Sequence, residues 1–283
     1  MVNEESSSMT ETASTHLPDG DAVVQICRGQ LSFGNFVLFQ DLSLSLGSQS
    51  GPSIAALIGT NGSGKSALAN VISGYYRLGR GSVMIGGEDV TSLSPVQRSL
   101  RGVRRSFQSV AGISGMTLLS YAMLGWEPAW PRGLFQTVLR LPRAQRQERR
   151  SADATFESLC QAGLEAYADK PLESCPYGVR KLADVVRAIG CAPGLVALLD
   201  EPTSGVSQSE RSAVSSVVRS ALSRGGWKLV IVIDHDVAFI RELCDMSVVL
   251  EAGKVIATGR TSEVLAQERV AVSFAGVRDR PPS

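Results

Sequence analysis

One stretch constrains this chain more than any other: Gly59-Thr60-Asn61-Gly62-Ser63-Gly64-Lys65-Ser66. It satisfies the pattern G-x-x-x-x-G-K-[ST]. It follows the apolar run Ile54–Ile58 and leads into Ala67-Leu68-Ala69-Asn70-Val71-Ile72. A continuous apolar run predicts a strand buried on both faces, and the residues after the loop read as a helix. Glycines let backbone N–H groups turn inward around phosphate oxygens with no Cβ in the way. The first turn of the helix adds unpaired N–H groups and the positive end of its dipole. Lys65 supplies a point charge for β- and γ-phosphates, and the Ser66 hydroxyl can ligate magnesium. A glycine-rich turn that binds nothing can match such a pattern by chance. The strand before it and the helix after it argue for a nucleotide.

The rest of the chain repeats that style. Val23–Cys27, Leu42–Leu46, Leu195–Leu199, Leu229–Ile233 and Ser247–Leu250 read as strands alternating with helix-like segments, the pattern of a mostly parallel α/β sheet. From about Val110 to Pro171 the β-type runs stop. Pro128, Pro131 and Pro142 fall there, and apolar residues recur at helical spacing through Ala154–Ala168. A helical insertion dividing the α/β core is the expectation.

Composition removes other classes. Twenty-eight basic and twenty-seven acidic residues leave a net charge of +1, so there is no general field for nucleic acid. No apolar run approaches the roughly 20 residues that a spanning helix needs. Met1–Asp21, rich in Ser, Thr and Glu, lacks the apolar centre of a secretory signal and reads as a disordered tail. The five cysteines, Cys27, Cys160, Cys175, Cys191 and Cys244, include no close pair, which suits reduced thiols better than disulfides or zinc.

Leu195–Leu199 runs straight into Asp200-Glu201. Ligands of open α/β sheets sit beyond the carboxyl ends of the strands, beside the glycine-rich loop in this case. Asp200 is therefore placed to hold a magnesium shell, and Glu201 to polarise water as a general base. His235 follows the strand Leu229–Ile233 in the same way; alone, such a histidine is as readily structural. Gln108, in Arg105-Ser106-Phe107-Gln108, carries little information by itself.

The order of these motifs resembles that of the nucleotide-binding domain of ABC transporters, over roughly Val23 to Gly276. The finer resemblance is to the branched-chain (hydrophobic) amino-acid uptake branch. It rests on Pro176-Tyr177-Gly178 in place of the usual Ser-Gly-Gly signature, and on Gly133-Leu134-Phe135 through Leu141-Pro142 to Glu148-Arg149-Arg150. The resemblance implies a P-loop NTPase core of RecA-like type with a small N-terminal β subdomain. It implies a nucleotide-binding domain over 22–276, with the α/β core at 22–109 and 186–276 and a helical subdomain at 110–185. Tails at 1–21 and 277–283 flank it.

The resemblance also assigns roles. Phe33 would stack on adenine, and Gly59, Thr60, Asn61, Gly62, Ser63, Gly64, Lys65, Ser66 and Ala67 would hold the phosphates of ATP. Ser66, Gln108 and Asp200 would serve Mg²⁺, with Glu201 as base and His235 and Gln108 sensing the γ-phosphate. Two such domains close head to tail, so Tyr177 and Gly178 would touch ATP held by the opposite subunit.

Cys175 and Val179 replace the signature's outer Leu and Gln, Ser207 stands where the family has Asp, and Ala67 replaces a hydroxyl residue. These departures favour a heterodimer with a second, non-identical ATPase. Implied partners are transmembrane permeases and, indirectly, an external solute-binding protein, with the chain at the cytoplasmic face of the membrane. The alternative is a non-transport ABC ATPase of DNA repair or translation. Such proteins usually carry paired cassettes, a coiled-coil arm or zinc-binding cysteine pairs. A cassette that binds nucleotide without turnover is argued against by Glu201 and His235. The basic groups Arg101, Arg104, Arg105 and Arg140, Arg143, Arg146, Arg149, Arg150 suit a membrane subunit, lipid headgroups or a solvated face.

Overall fold

The computed structural model describes residues 21–107, 113–129, 142–191 and 193–270. The expected tails (apart from Asp21) and the stretch Gly133-Leu134-Phe135 lie outside these. A six-stranded sheet runs in the order β10 (Lys254–Arg260), β9 (Met246–Glu251), β3 (Ser53–Gly59), β8 (Leu229–Ile233), β7 (Val196–Asp200), β6 (Val103–Arg105). Only β10 pairs antiparallel to its neighbour. A second, antiparallel sheet has the order β2 (Phe36–Leu46), β1 (Val24–Phe33), β4 (Arg80–Ile85), β5 (Glu88–Asp89).

The central strands are apolar throughout because both of their faces are covered. Ile54, Ala56 and Ile58 of β3 join Leu199, Val230 and Val232 in one cluster. Ala55 and Leu57 join Leu198, Ile231 and Ile233 in the other. Full burial of each Val, Leu or Ile contributes about 1.5–3 kcal/mol.

The first cluster is closed by α3 (Leu118–Met123), α4 (Pro142–Gln161), α5 (Tyr177–Val185), α6 (Gln208–Ser223) and α7 (Val237–Leu243). The second is closed by α1 (Lys65–Ser73) and the antiparallel sheet. The short helix α8 (Thr261–Leu265) adds Val264 to the first cluster, and α2 (Pro95–Leu100) packs beside α1 and β6. Capping sets several helix starts. Ser94 with Gln97 opens α2 and Ser207 with Glu210 opens α6, each as a reciprocal box. The result is a P-loop α/β fold with a mostly parallel sheet.

The strand ends differ in detail from the sequence reading. β1 and β2 extend well beyond Val23–Cys27 and Leu42–Leu46, and β7 starts one residue later than Leu195. The outer part of β2 opens on the apolar Phe36-Val37-Leu38-Phe39, of which Phe36 and Val37 are exposed, and the polar Gln40 and Asp41 separate it from Leu42–Leu46. β6 escaped notice because it is a three-residue edge strand carrying Arg104 and Arg105.

Candidate nucleotide-hydrolysis site

Strand order assembles the site. β8 lies between β3 and β7, with Leu57 opposite Ile233 and Ile233 opposite Asp200. The segments leaving the carboxyl ends of these three strands are therefore neighbours. They carry the Gly59–Ser66 loop, His235 and Glu201.

The loop is shaped by close approaches. A Cβ on Gly59 would stand 2.2 Å from the Leu250 carbonyl oxygen, and one on Gly64 would stand 2.8 Å from the Phe39 ring. Both positions also have positive φ, at +152° and +108°, so only glycine fits. The Ser63 carbonyl accepts from the Gly253 N–H at 3.0 Å, which ties the loop to the β9–β10 turn. Lys65 opens α1 and folds back, with Nζ donating to the Gly59 and Thr60 carbonyls, each at 2.8 Å. Desolvation lowers its pKa, and the charges of Glu201 and Asp200 oppose that shift. The acidic pair therefore acts on the lysine through space. Asn61, Gly62 and Ser66 are exposed, while Thr60 and Ala67 are half-buried.

Asp200 ends β7 and is buried. Its Oδ2 is held by Arg105 Nη2 at 2.9 Å, and Arg105 Nη1 donates to Asn70 Oδ1 at 2.5 Å and Ser73 Oγ at 3.2 Å on α1. Arg105 thus staples the carboxylate strand to the loop helix. This corrects the reading of Arg101, Arg104 and Arg105 as one outward-facing basic group. Arg104 is buried and donates to the Ser99 carbonyl at 2.6 Å, and only Arg101 pairs in the open, with Glu88 at 2.7 Å. The Ser66 hydroxyl and the Asp200 carboxylate are hard oxygen donors of the kind Mg²⁺ takes, so these residues would fit such an ion.

Glu201 takes a positive φ of 48°, a strained conformation that costs of order 1–3 kcal/mol and persists only where the surroundings enforce it. Its N–H donates to the Ile233 carbonyl at 2.7 Å, which holds the turn against β8. The His235 side chain is 70% exposed, with Nδ1 standing 3.8 Å from Asp234 Oδ1, too far for a hydrogen bond.

Gln108 lies outside the described residues. The residue before it, Phe107, donates its N–H to Asp184 Oδ2 at 2.6 Å. Asp184 Oδ1 also accepts from the Tyr121 hydroxyl at 2.5 Å and Arg187 Nε at 2.8 Å. Arg187 Nη2 donates to the Arg105 carbonyl at 2.8 Å, and its guanidinium covers the Phe107 ring at 4.0 Å. Burial works against the Arg187 charge, but Asp184 and Tyr121 outweigh it and hold its pKa above the ordinary value. The Tyr121 hydroxyl is pushed well up by burial and then by Asp184. This network was not legible in the sequence, where Asp184 and Arg187 are two polar residues on a helix.

Phe33 is half-exposed at the β1–β2 turn, with its ring edge-on to Tyr76 at 5.2 Å. Tyr177 and Gly178 begin α5 on a different contact. A Cβ on Gly205 would stand 3.1 Å from the Tyr177 ring, and one on Gly178 would stand 1.9 Å from Glu210 Oε1. These neighbours belong to the segment after β7, not to the Gly59–Ser66 loop. Val179 is buried in the core.

Fold and loop together define a nucleoside triphosphatase of the P-loop class. The family model for ABC transporters matches residues 39–204, and the chain belongs to that family. It is 24% identical to the high-affinity branched-chain amino acid transport ATP-binding protein LivG of Escherichia coli K12, covering 83% of this chain and 90% of that protein. It is 30% identical to a probable LivG of Archaeoglobus fulgidus, covering 80% and 86% respectively. It is 26% identical to the lipopolysaccharide export ATP-binding protein LptB of Haemophilus influenzae, covering 87% and 93%. The solved ADP conformation of MJ1267, an ATP-binding cassette of an ABC transporter, superposes with a TM-score of 0.73. That match is at 24% identity and covers 90% of this chain and 98% of that one. The chain is a nucleotide-binding, ATP-hydrolysing subunit of a transporter, and such subunits work with transmembrane permeases.

Proposed function

We propose that this subunit powers uptake of branched-chain or other hydrophobic amino acids from the cytoplasmic face of the membrane. An external solute-binding protein delivers the cargo to the permeases. The observation that carries the hydrolytic part is the sheet order β3-β8-β7, which gathers loop, histidine and glutamate at one edge. In this reading Phe33 stacks on adenine, and residues Gly59 to Ala67 wrap the phosphates. Lys65 leaves its two carbonyl partners for the β- and γ-oxygens, and Glu201 takes the proton of the attacking water. His235 and Gln108 hold the γ-phosphate and that water in line. Ser66, Asp200 and Gln108 would hold Mg²⁺, which would supply charge neutralisation when bound with ATP.

Tyr177 and Gly178 serve the ATP of a second, non-identical ATPase. Their placement at the start of α5, against Gly205 and Glu210 of the chain after β7 rather than against the Gly59–Ser66 loop, supports such an arrangement. So does Val179, whose buried side chain offers no polar contact. Among the described residues no helix is long and apolar enough to cross a membrane, so the transport path belongs to separate permeases. A cleft of about 470 Å³ lined by Tyr75, Val96, Arg104, Phe107 and Leu124 is their docking place in this reading. The LivG likenesses in a bacterium and an archaeon favour amino-acid import over export.

The test is to purify the tagged chain from gently solubilised membranes and identify its companions by mass spectrometry. Two permeases and a second ATPase, with ATP turnover stimulated by a leucine-loaded binding protein, are the expected result. Ribosomes or DNA-repair proteins without a permease would overturn the proposal.

A further inference from the structure

The His235 imidazole is largely exposed, so its aim depends on the main chain beneath it, and that main chain is pinned from two sides. Asp234 Oδ1 accepts the N–H groups of His235 at 2.8 Å and Asp236 at 3.0 Å. Asp234 Oδ2 accepts from Thr203, through N–H at 3.2 Å and Oγ1–H at 2.6 Å. On the other side of the histidine, Asp236 Oδ2 is paired with Arg211 of α6. Asp236 Oδ1 meanwhile caps α7 through the Ala238 and Phe239 N–H groups. With the Glu201 N–H to Ile233 carbonyl bond, three cross-links join the segment after β7 to the segment after β8.

Asp234 is the informative member. Its side chain is fully buried, and a carboxylate is costly to desolvate unless its oxygens are well satisfied. Here four donors satisfy it, two from each segment. A buried polar group of this kind specifies one arrangement of the chain rather than adding net stability. The arrangement specified is the relative placement of Glu201 and His235.

We propose that Thr203, Asp234 and Arg211 are positioning residues that clamp the His235 backbone against the Glu201 turn, so that the histidine and the base stay in register during hydrolysis. The clamp rests on the reading of His235 and Glu201 as hydrolytic residues. Its members touch neither nucleotide nor water; they act through His235.

The test uses the assembled ATPase–permease complex, measuring kcat and KM for MgATP together with thermal midpoints. Thr203→Val removes the hydroxyl donor at nearly constant volume, and Arg211→Met removes the cation from a partly exposed side chain. Each should lower kcat about tenfold, the value of one well-placed hydrogen bond, with KM unchanged. Thr203→Ser and Arg211→Lys should restore most of the rate. In a His235→Ala background neither change should slow the enzyme further, because residues acting through one group are not additive. Should Thr203→Val fold poorly, Arg211→Met carries the same comparison.

Normal kcat in Thr203→Val and Arg211→Met, alongside a slow His235→Ala, overturns the clamp and leaves the hydrolytic reading intact. Full additivity with His235→Ala also overturns it. Normal turnover in His235→Ala itself overturns the underlying reading.

Discussion

Asp184 is the residue whose loss the structure prices most clearly. Its carboxylate accepts from Phe107, Tyr121 and Arg187 at 2.5–2.8 Å, and its side chain is 1% exposed. Asp184→Ala would strand a buried guanidinium, a buried phenol and a backbone N–H together. Deleting one partner of a buried ion pair costs about 3–5 kcal/mol, and each neutral donor left without an acceptor costs about 1–3 kcal/mol. After partial relaxation the loss should be about 5 kcal/mol. At roughly 2–4 °C per kcal/mol for a domain of this size, the melting midpoint falls by about 10–20 °C. Differential scanning calorimetry measures it directly. Replacing both charges, Asp184→Leu with Arg187→Leu, should cost less than Asp184→Ala alone, because no unpaired charge remains. A shift under about 2 °C for Asp184→Ala, or a double variant worse than the single one, would refute the reasoning.

Other changes test other joints. Arg98 is buried, its pKa lowered by burial to about 10, so it stays charged near neutrality. It donates to the Val71 and Ile72 carbonyls at the end of α1. Arg98→Met should lose about 2–4 kcal/mol of stability, seen as a lower urea midpoint with unchanged slope. Gly253→Ala would place a Cβ 1.8 Å from the Leu38 carbonyl oxygen. The turn must then move, and ATP affinity measured with a fluorescent nucleotide should fall at least several-fold. Burial pushes the Cys191 and Cys244 thiols up to about 11 and about 12, whereas Cys160 is exposed. Maleimide at pH 8 should therefore label Cys160 in the native protein and reach Cys191 and Cys244 only after unfolding.

What could be read from the sequence depended on how local the physics is. Ile54–Ile58 and Leu229–Ile233 announce themselves because a strand covered on both faces must be apolar at every position. The Gly59–Ser66 loop is legible because its backbone needs glycine where Leu250 and Phe39 press on it. Arg105 was misread because its partner, Asp200, lies 95 residues away and is reached only when β6 pairs with β7. Thr203 and Asp234 are separated by 31 residues and meet for the same kind of reason. Nothing in the string Asp200-Glu201-Pro202 shows that Glu201 takes a left-handed backbone, since that conformation is imposed by its bond to β8. Composition and periodicity describe faces and runs. They do not describe which polar side chains converge.

The most direct test of the hydrolytic account is Glu201→Gln in the purified complex, with bound nucleotide followed by chromatography after mixing with MgATP. The account predicts intact ATP retained on the protein and hydrolysis slowed roughly 100- to 10,000-fold, the usual contribution of a general base. Hydrolysis at the normal rate would contradict it, because Glu201 could not then be the group that activates the water.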